Sequence, residues 1–369
     1  MKKVSLTPAV FQVSNKVNAV CSVYAQQPVV PRGPALKPIL DRLRFKIVDQ
    51  LGVSATHETI ILTASGSGGI AAAVGSCVDD QGILVIANDA YGERQAQFCR
   101  QLGIRTAEYR LEWGKKPDMK KIKDLVSEHQ LKTIGMVHGC TGVGLLNPVA
   151  QAGVLCREMG LRLIVDAIAS IYVEELETLD WHIDTLICST NKGLHSNPDL
   201  CFCVVKKDYL EEMSSRSGRI PYLDLYATWS AQTNGSHPFT INMRALKEFE
   251  AAIDDFNDRG GLRARIKMYQ DRTGLLREGY KRMGLKTFLS ADMEQQNIGT
   301  ALYLPPNVSY EKLADDLANW KENDECYEIY SAQGKLFGQV FRVFNMGEYF
   351  LNTYERFLVA LESCLMNQT

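Results

Sequence analysis

Residues 161–199, LRLIVDAIASIYVEELETLDWHIDTLICSTNKGLHSNPD, contain two short apolar strands that each lead into a polar residue. The run LRLIVD ends in Asp166, and the run IDTLICS is followed closely by Lys192. Continuous apolar runs of this length are typical of strands buried on both faces of a parallel sheet. The sequence therefore predicts that Asp166 and Lys192 end two separate strands of one parallel sheet, where ligands bind.

Strands and helices alternate on both sides of this stretch, which predicts an α/β fold with a mostly parallel central sheet. The predicted strands are 58–64, 82–88, 105–111, 131–139, 161–166, 183–189 and 200–205, and the helices between them are 69–78, 92–103, 119–130 and 149–160. Because ligands bind at the carboxyl ends of such strands, the residues that follow each strand are the candidate site.

A glycine-rich turn, ASGSGGIAAAV (64–74), follows the first of these strands and opens a helix. The helix N-terminus and the glycine N–H groups suit a phosphate, and Ser67 adds a hydroxyl donor. A tight turn without a ligand is the plain alternative. Residues 66–71 also match the dinucleotide fingerprint GxGxxA, with Asp89 lying 20 residues beyond Gly69. A nicotinamide oxidoreductase is therefore a rival class.

Asp166 and Lys192 together favour a different cofactor. Taken alone, Asp166 is as readily a buried hydrogen-bond acceptor as a ligand, and Lys192 is most simply a solvated loop lysine. With the phosphate-binding turn they supply what pyridoxal 5′-phosphate (PLP) needs, namely a phosphate anchor, an acid for the pyridine nitrogen and an amine for the aldehyde. We therefore predict a PLP enzyme with these two catalytic residues, because a nicotinamide cofactor needs neither group in those roles.

Three further residues are candidates for the site. Tyr91 follows strand 82–88 and can stack on a flat ring, although plain packing is its alternative role. Thr141 follows strand 131–139 and can bond a ring substituent, unless this segment is only a glycine-rich turn. Arg342 lies in the apolar run FRVFN, where its charge needs a carboxylate partner. That partner is either a structural acid or, as we expect, the carboxylate of a substrate.

The alternating pattern ends near residue 244, which predicts an N-terminal arm (1–15), a large cofactor-binding domain (16–260) and a smaller C-terminal α+β domain (261–369). A long helix is interrupted at Gly260 and Gly261. The elements predicted beyond it are a strand at 299–305, a helix at 309–323, strands at 325–331 and 338–345, and a terminal helix at 348–366. The proline-rich segment 26–38 is predicted to be extended.

Composition excludes several other classes of protein. The formal net charge is −2 and the pI is about 6.3, so a nucleic-acid partner is not expected. The ten cysteines show no disulfide or metal spacing and many lie in apolar runs, as is typical of a reducing compartment. No stretch reads as a signal peptide or a membrane span. We therefore expect a cytoplasmic protein without a metal ion, nucleic acid or membrane partner.

The chain resembles the class V aminotransferases, which are fold-type I PLP enzymes, over most of its length. The resemblance is strongest to the 2-aminoethylphosphonate–pyruvate and the alanine– or serine–glyoxylate aminotransferases. The matching motifs are SLTPAV (5–10), TASGSGG (63–69), NDAYGER (88–94), VHGCTGVGLLNP (137–148), the stretch 161–199 and FRVFNMG (341–347).

The resemblance implies a role for each motif residue, and it implies a homodimer with the site at the subunit interface. Arg342 would bind the substrate carboxylate, and the 235–243 region of the neighbouring chain would contribute. The implied cofactor contacts are the phosphate at Ser67, Gly68 and Gly69 and near Asn191, the ring at Tyr91 and Thr141, the ring nitrogen at Asp166 and the Schiff base at Lys192.

Several positions depart from the family pattern, so the substrate is left open. Cys140 stands where the family has Glu, Asp199 where it has Gly, and Met243 where it has a phosphate-binding Thr, for which Thr240 could compensate. Residues 142–143 replace hydroxyl residues, and TPGP becomes TPAV in residues 7–10.

The sequence thus predicts an aminotransferase that moves an amino group from a small amine or amino acid to a small oxo acid, such as pyruvate or glyoxylate, with ping-pong kinetics. A lyase, a desulfurase or a specialised biosynthetic enzyme on the same scaffold is the alternative. A desulfurase would need a mobile nucleophilic cysteine, for which Cys326 and Cys364 are the candidates in the C-terminal domain. The oxidoreductase and a non-catalytic PLP-binding protein are the remaining classes.

Overall fold

The structure, a computed structural model, describes residues 2–8 and 11–368, so Ala9 and Val10 of the SLTPAV motif lie outside the described residues. Its first strand, β1 (Lys2–Ser5), belongs to the C-terminal part of the fold. The central sheet consists of β2 (His57–Leu62), β3 (Ile83–Ala87), β4 (Thr106–Arg110), β5 (Thr133–Val137), β6 (Arg162–Asp166), β7 (Thr185–Ser189) and β8 (Cys201–Lys206). These are the seven predicted strands, with ends shifted by no more than two residues.

The strand order of this sheet is β2–β8–β7–β6–β5–β3–β4. Only the two ladders made by β8 are antiparallel, and all other neighbours pair in parallel. The mostly parallel sheet is therefore confirmed. Since β2, β3, β5, β6 and β7 run in the same direction, their carboxyl ends meet at one edge of the sheet.

Nine helices precede or surround this sheet among the described residues. Two of them, α1 (Asn15–Gln26) and α2 (Leu36–Gln50), correct the prediction for 26–38, because irregular backbone is limited to 27–35. Pro38 lies in the first turn of α2, where a missing N–H costs no helical hydrogen bond. The others are α3 (Gly66–Cys77), α4 (Ala90–Gln101), α5 (Met119–Glu128), α6 (Val149–Met159), α7 (Lys207–Met213), α8 (Leu225–Thr233) and α9 (Met243–Asp258).

The C-terminal part begins where α9 gives way to a new helix at Gly260 and Gly261, whose φ angles are 97° and 64°. Left-handed backbone at both positions ends one helix and starts the next, as predicted. The elements that follow are α10 (Gly261–Arg282), β9 (Gly299–Tyr303), α11 (Tyr310–Ala318), β10 (Glu325–Glu328), β11 (Tyr330–Ser331), β12 (Val340–Phe344) and α12 (Leu351–Met366).

One prediction for the C-terminal part is wrong, because residues 325–331 do not form a single strand. The first four residues, β10, pair in parallel with β1, whereas β11 pairs with β12 in an antiparallel ladder. The N-terminal arm therefore contains a strand that the sequence did not reveal. β1 has only four residues, too few for a periodic pattern to be visible.

The hydrophobic core lies on both faces of the central sheet. Within β3, Leu84 and Ile86 join one buried cluster while Ile83 and Val85 join another, as the alternation of side chains along a strand requires. A third cluster fills the C-terminal part. Among the described helices, none combines the length and the apolar character that crossing a membrane requires.

Candidate active site

A cavity of about 250 Å³ lies at the carboxyl edge of the central sheet. Residues just after β2, β3, β5, β6 and β7 line it, because these strands all point toward this edge. The cavity brings together six of the predicted site residues: Ser67, Tyr91, Thr141, Asp166, Asn191 and Lys192. Tyr330 and Gln333 from the C-terminal part also line it, and sequence reasoning had not singled them out.

Asp166 is the last residue of β6 and is 3% exposed. Its Oδ1 accepts a hydrogen bond from the Ile168 N–H at 2.9 Å. Burial raises the pKa of the Asp166 carboxyl to about 7, while the Ile168 N–H and the Lys192 amine act in the opposite direction. An ionised carboxyl in this position would be stabilised by a cationic group in the cavity.

Lys192 follows β7 and is 7% exposed. Burial lowers the pKa of its amine to about 8; Asp166 opposes this shift and the Arg342 guanidinium adds to it. A Cβ on Gly193 would lie 2.1 Å from the Ile171 carbonyl oxygen, so only glycine allows this close approach next to Lys192. Lys192 is thus held at the cavity with an amine that loses its proton more readily than that of a solvated lysine, as a nucleophilic amine needs.

The N-terminus of α3 forms one end of the cavity, which Gly66 and Ser67 line. Gly69 does not line the cavity, and its N–H donates to the Ser65 carbonyl at 3.1 Å, so this N–H is not available to a ligand. A Cβ on Gly69 would lie 3.1 Å from Ile187 Cγ2, which gives this glycine a packing role against β7. Gly68 also does not line the cavity. It precedes Gly69, whose N–H makes the first helical hydrogen bond of α3, so the Gly68 N–H has no acceptor within the helix.

Arg94 is a site residue that the sequence analysis missed. It lines the cavity, and its Nη1 donates to the Ser67 hydroxyl oxygen at 3.0 Å. Its guanidinium lies 4.9 Å from the centre of the Tyr91 ring. The available signal was the spacing of Tyr91 and Arg94, which places both on one face of α4.

Arg342 lies in β12, is 1% exposed and does not line the cavity directly. Its guanidinium donates to the Ser331 carbonyl at 2.8 Å and to the Thr141 carbonyl at 3.4 Å. None of the ion pairs among the described residues involves Arg342. The alternative of a structural acid as its partner is therefore wrong, and backbone carbonyls meet part of its hydrogen-bonding capacity instead.

Residues that the rival hypotheses require have other roles in the structure. Asp89 caps α4, since its Oδ1 accepts from the Tyr91 and Gly92 N–H groups at 2.9 and 2.8 Å, and it is fully buried. Burial raises its pKa to about 6. Cys326 is buried in β10 and Cys364 in α12, and neither is among the residues that line the cavity.

Three positions that the sequence analysis noted are not among the residues that line the cavity. Thr240 is one of them and is exposed. Asp199 forms an ion pair with Arg244 across 3.6 Å. Cys140 is buried beneath the site, and the Asn147 amide nitrogen lies 3.3 Å from its sulfur. Burial raises the pKa of this thiol well above its usual range.

Comparison with known proteins gives a family and several structural neighbours. Residues 24–307 match the family model described as aminotransferase class-V. The 2-aminoethylphosphonate–pyruvate transaminase of Salmonella gallinarum is 28% identical over 331 residues, which cover 89% of each chain.

Among solved structures, the alanine–glyoxylate aminotransferase of Nostoc sp. has a TM-score of 0.89 at 21% identity, covering 99% of this chain and 96% of its own. The aspartate aminotransferase of subgroup IV from Thermus thermophilus has a TM-score of 0.86 at 21% identity, covering 99% of this chain and 100% of its own. These structures share the fold, and the family match spans most of the sequence. The chain therefore belongs to the class V aminotransferase family.

Proposed function

We propose that this class V aminotransferase carries PLP on Lys192 and moves an amino group from a small amine or amino acid to a small oxo acid. The observation that carries the proposal is that Asp166, with a pKa raised to about 7, and Lys192, with a pKa lowered to about 8, line one cavity. Pyruvate and glyoxylate are the acceptors to test first, because they appear in the names of the Salmonella and Nostoc enzymes.

The residues around the cavity fit PLP. The N-terminus of α3, with Ser67 and the Arg94 guanidinium beside it, offers N–H donors and a positive charge to the phosphate. In this assignment Gly66 would contact the phosphate in place of Gly69, to which the sequence analysis gave that contact. Gly68 would still contact the phosphate, through its backbone N–H. Tyr91 and Thr141 would contact the ring, and Asn191, which also lines the cavity, would lie near the phosphate.

The two catalytic residues act on protons at defined atoms. When bound, the cofactor provides an electron sink for the pair released as the substrate Cα–H bond breaks. Asp166 would keep a proton on the ring nitrogen, because its buried carboxylate would stabilise the positive charge there. Lys192 takes the proton from the substrate Cα and returns it later in the reaction as a general acid. One cavity serves both halves of the reaction, so ping-pong kinetics follow.

The amino donor can be identified by a spectroscopic screen of the PLP-loaded protein. A competent donor should remove the cofactor's visible absorbance in the absence of an oxo acid, and pyruvate or glyoxylate should restore it. Both changes are expected because each half-reaction runs separately in a ping-pong mechanism. A protein that binds PLP but responds to no donor would instead be a binding protein, and one that releases product without consuming an oxo acid would be a lyase.

Arg342 is proposed to bind the substrate carboxylate, which predicts an effect on KM. Arg342→Lys keeps the positive charge but loses the planar guanidinium group, which can donate two parallel hydrogen bonds to a carboxylate. KM for the oxo acid should therefore rise roughly 10- to 100-fold while kcat changes less. Steady-state kinetics with pyruvate or glyoxylate test this. Arg342→Gln should raise KM further, and the thermal unfolding of both variants shows whether they fold. An unchanged KM in folded variants would show that Arg342 does not bind the carboxylate.

The proposal includes a homodimer whose site lies at the subunit interface and a cytoplasmic location. The exposed side chain of Thr240 supports a contribution to a neighbouring site, where its hydroxyl would reach the cofactor phosphate. All ten cysteines are free, as expected for a reducing compartment.

A further inference from the structure

The turn that follows β7 contains a second buried ionisable residue besides Lys192. His195 lies three residues after Lys192 and is 1% exposed. It is not among the residues that line the active-site cavity, and the catalytic roles assigned above do not use it. Its backbone and its ring nevertheless connect Lys192 to the C-terminal part of the fold.

The backbone of His195 closes the turn onto Lys192. Its N–H donates to the Lys192 carbonyl oxygen at 3.1 Å. Its φ angle is 56°, in the left-handed region that residues other than glycine rarely adopt. Such a conformation persists where the surrounding contacts hold it. The contacts of the His195 side chain therefore also hold the backbone from which the Lys192 side chain projects.

The C-terminal part binds the His195 ring at both nitrogens. The Gly347 N–H lies 3.3 Å from Nε2 and can only donate, so Nε2 accepts and the ring proton lies on Nδ1. The Tyr269 hydroxyl, on α10, also bonds Nε2 at 2.7 Å, and Nδ1 donates to the Glu348 carboxylate at 2.7 Å. Burial, with Arg265 beside the ring, lowers the pKa of His195 to about 3, so the ring is neutral.

Glu348 is itself anchored by cations. It pairs with Arg259 and, across 3.7 Å, with Arg265, whose guanidinium also lies 2.6 Å from Nδ1 of His195. Burial acts against ionisation of Glu348, but the His195 ring and the two arginines outweigh it and lower the pKa of this carboxyl to about 2. The hydrogen bond from His195 to Glu348 is therefore charge-assisted and stronger than a neutral one.

Arg342 does not depend on this arrangement, because it is held separately by the Ser331 and Thr141 carbonyls. Loss of the His195 ring should therefore disturb Lys192 and leave the proposed carboxylate-binding residue in place. This difference separates the two residues in kinetic measurements.

We propose that His195 is a positioning residue for Lys192. Its ring ties the turn that carries the lysine to the C-terminal part, and this tie holds the Lys192 amine in the place where it acts. The inference rests on the proposed function, which gives Lys192 its role.

Substitutions of His195 should lower kcat and leave KM for the oxo acid nearly unchanged. His195→Asn tolerates left-handed backbone and keeps an N–H for Glu348, but it loses the bonds at Nε2, so kcat should fall about fivefold. His195→Leu loses every bond of the ring, and kcat should fall roughly 10- to 100-fold, because a small displacement of a catalytic group is costly. An unchanged kcat in folded His195→Leu would overturn the proposal.

A matched control separates positioning from stability. Leu317→Ala removes a buried side chain of α11 from the hydrophobic cluster of the C-terminal part. It should lower the unfolding temperature but keep kcat below that temperature. A loss of kcat as large as that of the His195 variants would show that any destabilisation of the C-terminal part has this effect, which would overturn the proposal.

Tyr269→Phe tests the tie from the C-terminal side without changing the turn. It removes one hydrogen bond to Nε2 and should lower kcat roughly two- to fivefold in the parent. In the His195→Asn background it should have no further effect, because the ring nitrogen that Tyr269 bonds is gone. Independent, multiplicative effects of the two substitutions would contradict a shared tie.

Hydrogen–deuterium exchange provides a readout that does not need turnover. In the PLP-loaded protein without substrates, the amides of residues 190–197 should exchange faster in His195→Leu, and to a smaller extent in Tyr269→Phe, than in the parent or in Leu317→Ala. A parent that holds PLP but transfers no amino group would contradict the proposed function, and this exchange would still decide the role of His195. Equal exchange of residues 190–197 in His195→Leu and the parent would overturn the proposal.

Discussion

Lys192→Ala should lower turnover by at least about 10³-fold, because the substitution removes both the amine that carries the cofactor and the group that moves the proton at the substrate Cα. The neighbouring groups offer no replacement, since Lys192 is the one lysine among the residues that line the cavity. PLP should still bind without a covalent bond, through Asp166 and the phosphate end. The measurements are kcat with an identified donor and the mass of the peptide labelled after borohydride reduction.

The matched control for this substitution is Lys123→Ala, which removes an exposed lysine on α5. It should keep full activity and the same labelled peptide. Activity within about tenfold of the parent in the Lys192 variant, or a label on another lysine, would exclude Lys192 as the attachment point. Loss of activity together with loss of all PLP binding would point to a collapsed site, which a comparison of unfolding curves can detect.

The sequence was sufficient to predict the residues that follow the strands of the central sheet. Apolar runs define β6 and β7, and parallel strands must bring their carboxyl ends to one edge. Asp166 and Lys192 therefore line one cavity. Short apolar runs are enough to predict this, because every parallel sheet brings the carboxyl ends of its strands together. The same reasoning predicted that Tyr91 and Thr141 lie at this edge of the sheet.

Apart from Arg94, for which a local signal existed, what the sequence did not reveal depends on contacts between distant segments. Tyr330 and Gln333 reach the cavity only because the C-terminal part packs against the sheet edge. Arg342 was a candidate from its apolar strand, but no local pattern encodes its bond to the Thr141 carbonyl, 201 residues away in sequence. The packing of Gly69 against β7 was not foreseen, because a glycine needed for close packing and a glycine needed for an anion look alike in a sequence.

Asp166→Asn should have opposite effects on the apo and the PLP-loaded protein. In the unfolded chain this carboxyl has its ordinary pKa of 3.8, whereas burial raises the pKa to about 7 in the folded protein. Between these pH values the folded state holds a proton that the unfolded chain has lost, so this carboxyl lowers stability progressively as pH rises from about 4 to about 7. Asn cannot ionise, and its side-chain oxygen can still accept from the Ile168 N–H.

At pH 8 the free energy of unfolding of the apo Asp166→Asn variant should exceed that of the apo parent by roughly 2–4 kcal/mol, so the variant should unfold at a higher temperature. This difference should shrink toward pH 4. In the PLP-loaded protein the ring nitrogen compensates the carboxylate, so the variant should bind PLP more weakly and lose roughly 10²- to 10³-fold in kcat. Unfolding curves across this pH range, with and without PLP, test both effects. Asp180→Asn, at an exposed position, should show neither. The same buried charge must destabilise the apo protein and stabilise the protonated ring nitrogen in the PLP-loaded protein. An apo variant that is less stable than the parent at pH 8, or a PLP-loaded variant with unchanged kcat, would therefore mean that Asp166 does not face the ring nitrogen.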